Sequence, residues 1–426
     1  HASLFSGRHP WETGVLNNGQ AVPEDLPLLA EHLREEGYQT AAAVSLATMW
    51  PESRGRGIDR GFDDYERGVN EIATGAETGE RLRAVLDRLD PEEPFFLLAH
   101  FSDPHEPYND QGASGRVAEV HLDGTLVDVV STSQMSFWET ELELSPGKHR
   151  LVVSSSTSFK IRDLDFTEQG LAYPYHFATS GLMESTHEAE VVVVNGSDGP
   201  RHLQVSAWIN DEPSTREIHA RYASEVQVAD AAVGRLAAEL MRRGMWENTV
   251  VVLTSDHGEA LGEHGLVGHV DNLYDELLHV PLVIRLPHGR IDARLKKADD
   301  SLVRHIDVVP TVCELLGLPG LPNPSGRSLL EDGEETLIAE THPPEAPRSL
   351  YCLRDQTYKL VYAPAEETFE MYRLGPDPLE LDNVYAHQGH LRDTWQMVLT
   401  RLADQAGPSM ATVDAETSRK LSALGY

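Results

Sequence analysis

The run TVVVLTSDHGE, residues 249–259, constrains the fold more than any other stretch of the chain. Val250, Val251, Val252 and Leu253 form an unbroken apolar segment, mostly β-branched, which reads as a strand covered on both faces. Such strands belong to parallel sheets flanked by helices. The strand ends by delivering Asp256 and His257, and in open α/β sheets ligands sit just beyond the carboxyl ends of the strands. A carboxylate oxygen beside an imidazole nitrogen makes a pair of metal ligands at that position.

The flanking sequence has the alternation that this sheet requires. Pro23 to Gly37 reads as a helix carrying Leu26, Leu29 and Leu33, and Thr40 to Ser45 as a short buried strand. Thr78 to Leu89 repeats Leu82, Val85, Leu86 and Leu89 at helical spacing, and Pro94 opens the strand Phe95 to His100. After residue 210 the stripe Tyr222, Val226, Ala229, Val233, Leu236 and Leu240 marks another helix, followed by the strand ending at Asp256. Val280 to Leu286 and a helix around Asp307 to Leu316 come next. We expect a three-layer α/β/α core with a mostly parallel central sheet, formed by residues 1–110 and 211–325.

Residues 111–210 break this pattern. Short strand-like runs separated by Asp123-Gly124, Pro146-Gly147 and Asn195-Gly196 predict an inserted all-β module resembling a sandwich. Val117 to Val130, Trp138 to Val153 and Val191 to Ile209 read as its hairpins. Beyond residue 325 the candidate strands Ser349 to Arg354 and Thr357 to Tyr362 indicate a small antiparallel C-terminal subdomain with a polar tail.

Composition removes several classes of function. A formal charge of −34 argues against a nucleic-acid partner, which needs clustered Lys and Arg. The two cysteines, Cys313 and Cys352, exclude a disulfide scaffold, and Cys313 in an apolar helix reads as a core residue. No apolar run reaches the length of a membrane span.

Other candidate residues lie where strands end. His105 follows the Phe95 strand between Pro104 and Pro107, which stiffen its loop. The glycine-rich segment Gly258 to His269 can fold back and return His269 to the neighbourhood of Asp256, with His264 steadying the loop. The opening segment, His1 to Pro10, reads as a helix beginning at or just before His1. Trp138, Tyr173, Tyr175 and Trp208 are aromatic enough for a sugar-stacking face on the β module, or for its core.

These segments together resemble the sulfatase family of the alkaline phosphatase superfamily. His1-Ala2-Ser3-Leu4-Phe5-Ser6-Gly7 is similar to the second half of the family's active-site signature, with His1 in the place of an arginine. Asp256-His257-Gly258-Glu259 resembles the segment that gives the metal two ligands, and Pro104-His105-Glu106-Pro107-Tyr108 the loop whose histidine contacts sulfate. Gly268-His269 stands where many members carry a lysine on the same group. Asp307 to Thr311 and Gly375 to Glu380 are similar to a helix start and a C-terminal turn of the family.

The resemblance implies metal-dependent cleavage of small-molecule or carbohydrate sulfate esters. Asp256 and His257 then bind a divalent metal, with Ca2+ expected ahead of Mn2+, Mg2+ or Zn2+. His1, His105 and His269 bind the anion, and His105 and His269 act in catalysis. The family nucleophile, a Cys or Ser converted to formylglycine, and its paired aspartates fall upstream of His1, so we expect an N-terminally truncated and inactive chain. The resemblance also implies a periplasmic or secreted protein. Two alternatives remain: a phosphodiesterase or phosphonate monoester hydrolase of the same superfamily, and a pseudoenzyme that binds glycans through the β insert.

Overall fold

The computed structural model describes residues 1–406 except 52–55, 69–71, 106–116, 132–135, 169–174, 177–185, 196–197, 212–214, 270–271, 299–300, 332–335, 343–348 and 388. The chain divides into two compact units, one of His1–Asp103 with Val228–Tyr426 and the other of Pro104–Gln227.

The first unit opens with three short helices, α1 (Ala2–Ser6), α2 (Pro10–Thr13) and α3 (Leu29–Glu35). α1 stops at Gly7, whose φ of 68° is costly for residues with a Cβ. The Gly7 carbonyl then accepts from the N–H groups of Ser325 and Gly326, both at 2.9 Å. The expected helix from Pro23 is shorter than its periodicity suggested. Pro27 disfavours helix in the residue before it, and the Arg60 guanidinium captures the carbonyls of Pro23 and Leu26 outside any helical turn.

Strand β1 (Gln39–Val44) runs parallel to β2 (Asp64–Arg67) on one side. On its other side lies β3 (Phe95–Ala99), also parallel. Ala41, Ala42, Ala43 and Val44 are fully buried, as a central strand covered on both faces demands. Helix α4 (Gly75–Arg88) starts at a capping box: Thr74 Oγ1 accepts from Glu77 N–H, and Glu77 Oε2 accepts from Thr74 N–H at 2.8 Å. Its buried Leu82, Val85 and Leu86 face inward, on the stripe expected from the sequence.

The second unit is built from β4 (Val117–Leu122), β5 (Thr125–Ser131), β6 (Ser136–Leu144), β7 (Gly147–Glu168), β8 (Tyr175–His176), β9 (Thr186–Asn195) and β10 (Arg201–Asp211). β4 and β5 form the hairpin that Asp123-Gly124 announces, both turn residues having positive φ. The other two expected hairpins are corrected. β6 pairs with β10 rather than β7, and β9 with β7 rather than β10. The physical reason lies in β7, a strand of 22 residues. Its first half sits between β4 and β9 and its second half pairs with β10 and β8. Pro146-Gly147 therefore turns the chain from one half-sheet to the other. Both halves contribute to one core of Val120, Trp138, Leu142, Leu151, Phe159 and Val205, among others. On β6, buried Leu142 and Leu144 alternate with exposed Glu141 and Glu143, the period of a strand with one wet face.

Helix α5 (Thr215–Arg242) leads back to the first unit and to β11 (Val251–Thr254). Two short strands, β12 (Ala260–Leu261) and β13 (Val267–Gly268), pair with each other around His264 and precede α6 (Asp275–Leu278). β14 (Leu282–Arg285) is antiparallel to β11. Helices α7 (Ala293–Ala298) and α8 (Val308–Leu316) follow, and Cys313 is buried in the core of α8 as its apolar setting suggested.

The C-terminal part is a four-stranded antiparallel meander, β15 (Leu337–Thr341), β16 (Leu350–Arg354), β17 (Tyr358–Ala363) and β18 (Thr368–Arg373), followed by α9 (Gly389–Ala406). Period two divides its faces. Tyr351, Leu353, Leu360 and Tyr362 pack with Trp395 and Leu399 of α9, whereas Leu350, Cys352 and Val361 pack on Leu273. The architecture is thus α/β, combining a parallel sheet with antiparallel ones. Among the described residues no helix is long and apolar enough to cross a membrane.

Candidate functional site

β11 ends at Thr254, and the backbone turns sharply through Ser255 and Asp256. Gly258 makes this turn possible: a Cβ there would stand 1.9 Å from the Glu276 carbonyl oxygen of α6, and its N–H donates to Leu277 O at 2.8 Å. Helix α6 therefore fixes the backbone next to His257. His305, just before α8, braces the same turn by donating Nε2–H to Ser255 O at 2.8 Å. Burial lowers its pKa, so this ring is neutral.

Imidazoles gather around Asp256. His257 Nε2 lies 3.7 Å from Asp256 Oδ2, and His1 Nε2 lies 3.8 Å from the same oxygen. His100, at the end of β3, meets the His1 ring edge-on at 5.2 Å between centroids. Its Nδ1 accepts from Ser45 N–H at 3.4 Å, which ties it to the end of β1. Burial pushes the Asp256 carboxyl up, but the nearby His257 and His100 oppose this and hold it below its ordinary value. Asp256 is therefore a carboxylate at neutral pH.

His269 returns to this cluster. Its ring stacks on His257 with centroids 4.2 Å apart. Its Nδ1 lies 3.0 Å from Glu259 Oε1, and both side chains are 5% exposed. The β12–β13 ladder closes the loop between them, and His264 anchors it by stacking on Tyr274 at 3.7 Å. A cavity of about 330 Å³ is lined by His1, Asp256, His257 and His269 on one side and by Asn17, Asn18, Gln20, Glu340 and His342 elsewhere.

Of the five candidate residues, the structure brings together His1, Asp256, His257 and His269. His105 belongs to the other compact unit, where its N–H donates to Glu225 Oε2 at 3.2 Å. As for a metal, Asp256 and His257 supply one hard oxygen and one imidazole nitrogen, a donor pair suited to a divalent cation. Among the described residues no group of three or more His, Cys, Asp or Glu side chains converges on one point. Sequence reasoning missed Glu259 as the orienting partner of His269 and His305 as the brace of Ser255. The first was legible, since Glu259 directly follows the Asp-His-Gly turn. The second was not, because it bridges residues 50 apart in sequence.

The sulfatase family model matches residues 1–318, and a model described as N-sulphoglucosamine sulphohydrolase, C-terminal, matches residues 262–406. An N-acetylglucosamine-6-O-sulfatase from Bacteroides thetaiotaomicron is 30% identical over 437 residues, covering 90% of this chain and 73% of that protein. Arylsulfatase K from Bos taurus is 30% identical over 191 residues, 41% of this chain and about a third (34%) of the relative's length. A solved 2-O GAG sulfatase superimposes with a TM-score of 0.60 at 18% identity, covering 98% of this chain and 84% of that one. A phosphonate monoester hydrolase of Agrobacterium radiobacter gives 0.58 at 19% identity, with 95% and 85% covered. The two structures share the fold. The family match over residues 1–318 carries the assignment: this chain belongs to the sulfatase family, within the alkaline phosphatase superfamily.

Proposed function

We propose that the protein to which this chain belongs is a metal-dependent hydrolase of sulfate esters, acting on a sulfated carbohydrate or small molecule. The observation that carries the reading is the gathering of His1, Asp256, His257 and His269 on one cavity wall at the end of β11. Family membership and a relative named for sulfate removal from N-acetylglucosamine support it. Asp256 and His257 would hold a divalent cation, calcium by family resemblance, while the imidazole donor also suits Mn2+ or Zn2+, and Mg2+ remains open. When bound, such a cation polarises the ester oxygens and fixes the attacking group.

The remaining work falls to imidazoles. Negative charge grows on the sulfate group and on the departing alcohol oxygen as the ester breaks. His1 and His269 orient the anion as hydrogen-bond donors, and His269 passes a proton to the alcohol. Glu259 suits His269 to this role, because a carboxylate on Nδ1 fixes the tautomer and orientation of the ring. The reading assigns no nucleophile among residues 1–426. It places the protein in the periplasm or outside the cell. The glycan-binding alternative is weakened at Trp138, which is buried in the β-unit core with Nε1–H donating to Asp128 Oδ2 at 2.9 Å. Tyr173 lies outside the described residues, as do the side chains of Tyr175 and Trp208.

The test uses the protein as its natural gene encodes it. Chelation should abolish turnover of nitrophenyl sulfate, and the cation that restores it best identifies the metal. Run beside it, bis-nitrophenyl phosphate distinguishes the second reading, which the likeness to phosphonate monoester hydrolase favours. Faster phosphodiester turnover, or sulfate cleavage indifferent to chelation, would reject the proposal.

A further inference from the structure

The cavity beside Asp256 has a second wall that the reaction chemistry does not use. It is formed by the loop Leu16 to Gln20 and the end of β15, Glu340 to His342. The loop is tightly organised. Gln20 Oε1 accepts from the N–H groups of Leu16 at 2.6 Å and Asn17 at 3.1 Å, while Gln20 N–H donates to Asn17 O at 3.3 Å. Gly19 takes a φ of 89°, so the turn is closed over a residue free to adopt it.

This loop is clamped to β15. The Asn17 amide, oriented so that both its groups are satisfied, donates to Leu16 O at 3.2 Å and to the His342 carbonyl. Nearby, Glu340 Oε1 accepts from Trp11 N–H at 3.0 Å. Its other oxygen lies 3.3 Å from His342 Nε2, and His342 Nδ1 lies 2.8 Å from Ser349 Oγ. Glu340 Oε1 and His342 Nδ1 thus hold the wall, whereas among the described residues Glu340 Oε2 and His342 Nε2 are buried without a hydrogen-bond partner. The same cavity is also lined by the neutral side chains of Asn18, Thr48 and Thr341. Among the described residues these three side chains have no hydrogen-bond partner, and Asn18 and Thr341 sit on the braced loop and strand just described.

We propose that this wall is the subsite for the alcohol half of the ester, and that Asn18, Thr48 and Thr341 are specificity-determining residues that read the hydroxyl or acetamido groups of a single sugar ring. Neutral donors and acceptors on a preorganised frame match the hydroxyls of a carbohydrate, whose pairing they complete. A cavity of about 330 Å³ sits at the small end of ligand sites, roughly 300–1,000 Å³, and suits one ring with its sulfate rather than several. The inference rests on the sulfatase reading for the sulfate half alone.

The experiment compares kcat/KM for a panel of hexose and N-acetylhexosamine monosulfates with that for nitrophenyl sulfate, in the natural protein and in an Asn18→Ala, Thr341→Val double variant. The best sugar sulfate should exceed the aryl ester by at least about tenfold. The double variant should shrink that ratio about tenfold, chiefly through the KM of the sugar ester. An aryl preference in the natural protein, or a ratio unmoved by the double variant, overturns the proposal. Ligand-observed NMR with the desulfated sugars separates the two readings. If no sulfate ester is cleaved, saturation transfer to a free sugar that the double variant loses still supports the subsite, and no transfer in the natural protein rejects it.

Discussion

Two ionic clusters in the first unit have opposite designs. Around Asp256, two imidazoles approach one carboxylate at 3.7–3.8 Å, and the group opens on a cavity. Around Lys359, every charge is closed on a partner. Lys359, with no exposed surface, reaches Leu273 O at 3.0 Å, Asp275 Oδ1 at 2.7 Å and Glu380 Oε1 at 2.7 Å. Arg354 donates to Asp275 Oδ2 at 2.9 Å, and Glu380 Oε2 accepts from Asp275 N–H at 2.7 Å. The closed cluster joins the C-terminal sheet to α6, and α6 in turn holds Gly258 beside His257. Closely paired charge thus supports the element that positions the open cluster.

The difference predicts which mutations cost stability and which cost turnover. Lys359→Met strands the buried Glu380 carboxylate and leaves half-buried Asp275 to Arg354 alone, and breaking a buried pair in this way costs about 3–5 kcal/mol. Urea unfolding should show a midpoint lowered accordingly. A midpoint within error of the natural protein would mean that the closed cluster carries no weight. Asp256→Asn should do the reverse: turnover falls roughly 10²–10³-fold, the range for losing one preorganised charge-stabilising group, while the unfolding midpoint holds. A loss of stability matching that of Lys359→Met would erase the distinction between the two clusters.

Glu259→Gln makes a finer cut through the open cluster. It keeps the shape of the His269 partner and removes its charge. Turnover should fall about 10- to 100-fold, as for other partners that orient a functional histidine. Unchanged turnover would show that Glu259 merely fills space.

What the sequence revealed divides along similar lines. Local signals were legible: the apolar run before Asp256, the helical stripe of Leu82, Val85 and Leu86, and the Asp123-Gly124 turn each report a period or a backbone requirement within a few residues. Asp256, His257 and His269 follow from a strand end and a glycine-rich loop in the same way, whereas His1 entered only through the family resemblance. Pairings decided at long range were not legible. Pro146-Gly147 signals a reversal but not which strand receives it, so β6 was expected beside β7 and pairs with β10. Lys359 looks like an ordinary strand lysine until Asp275 and Glu380, far away in sequence, close around it.

An imidazole in the other unit tests whether the openness of the Asp256 cluster is a real distinction. His149 lies 2.7 Å from Asp123 Oδ2 through Nδ1 and 2.7 Å from Ser145 O through Nε2, so both ring nitrogens face acceptors and the ring is held as a cation. The Ser145 carbonyl and the Asp123 carboxylate both raise its pKa above 6.5. Asp123, which accepts from Arg150 N–H at 2.8 Å as well as from His149, is held below its usual 3.8. The raised imidazole contributes stability that is complete below 6.5 and disappears as pH rises through its elevated value. The lowered carboxyl contributes stability present above 3.8 and lost as pH falls through its depressed value. Both contributions are therefore present together between 3.8 and 6.5. Amide exchange at Arg150, corrected for its intrinsic rate, should show protection that declines above that window, and His149→Gln should flatten the decline. A natural protein with the same protection on both sides of neutrality would show that this ring is neutral despite facing two acceptors. Proximity of an imidazole to a carboxylate would then not separate structural pairs from the cluster at Asp256, and only the cavity would.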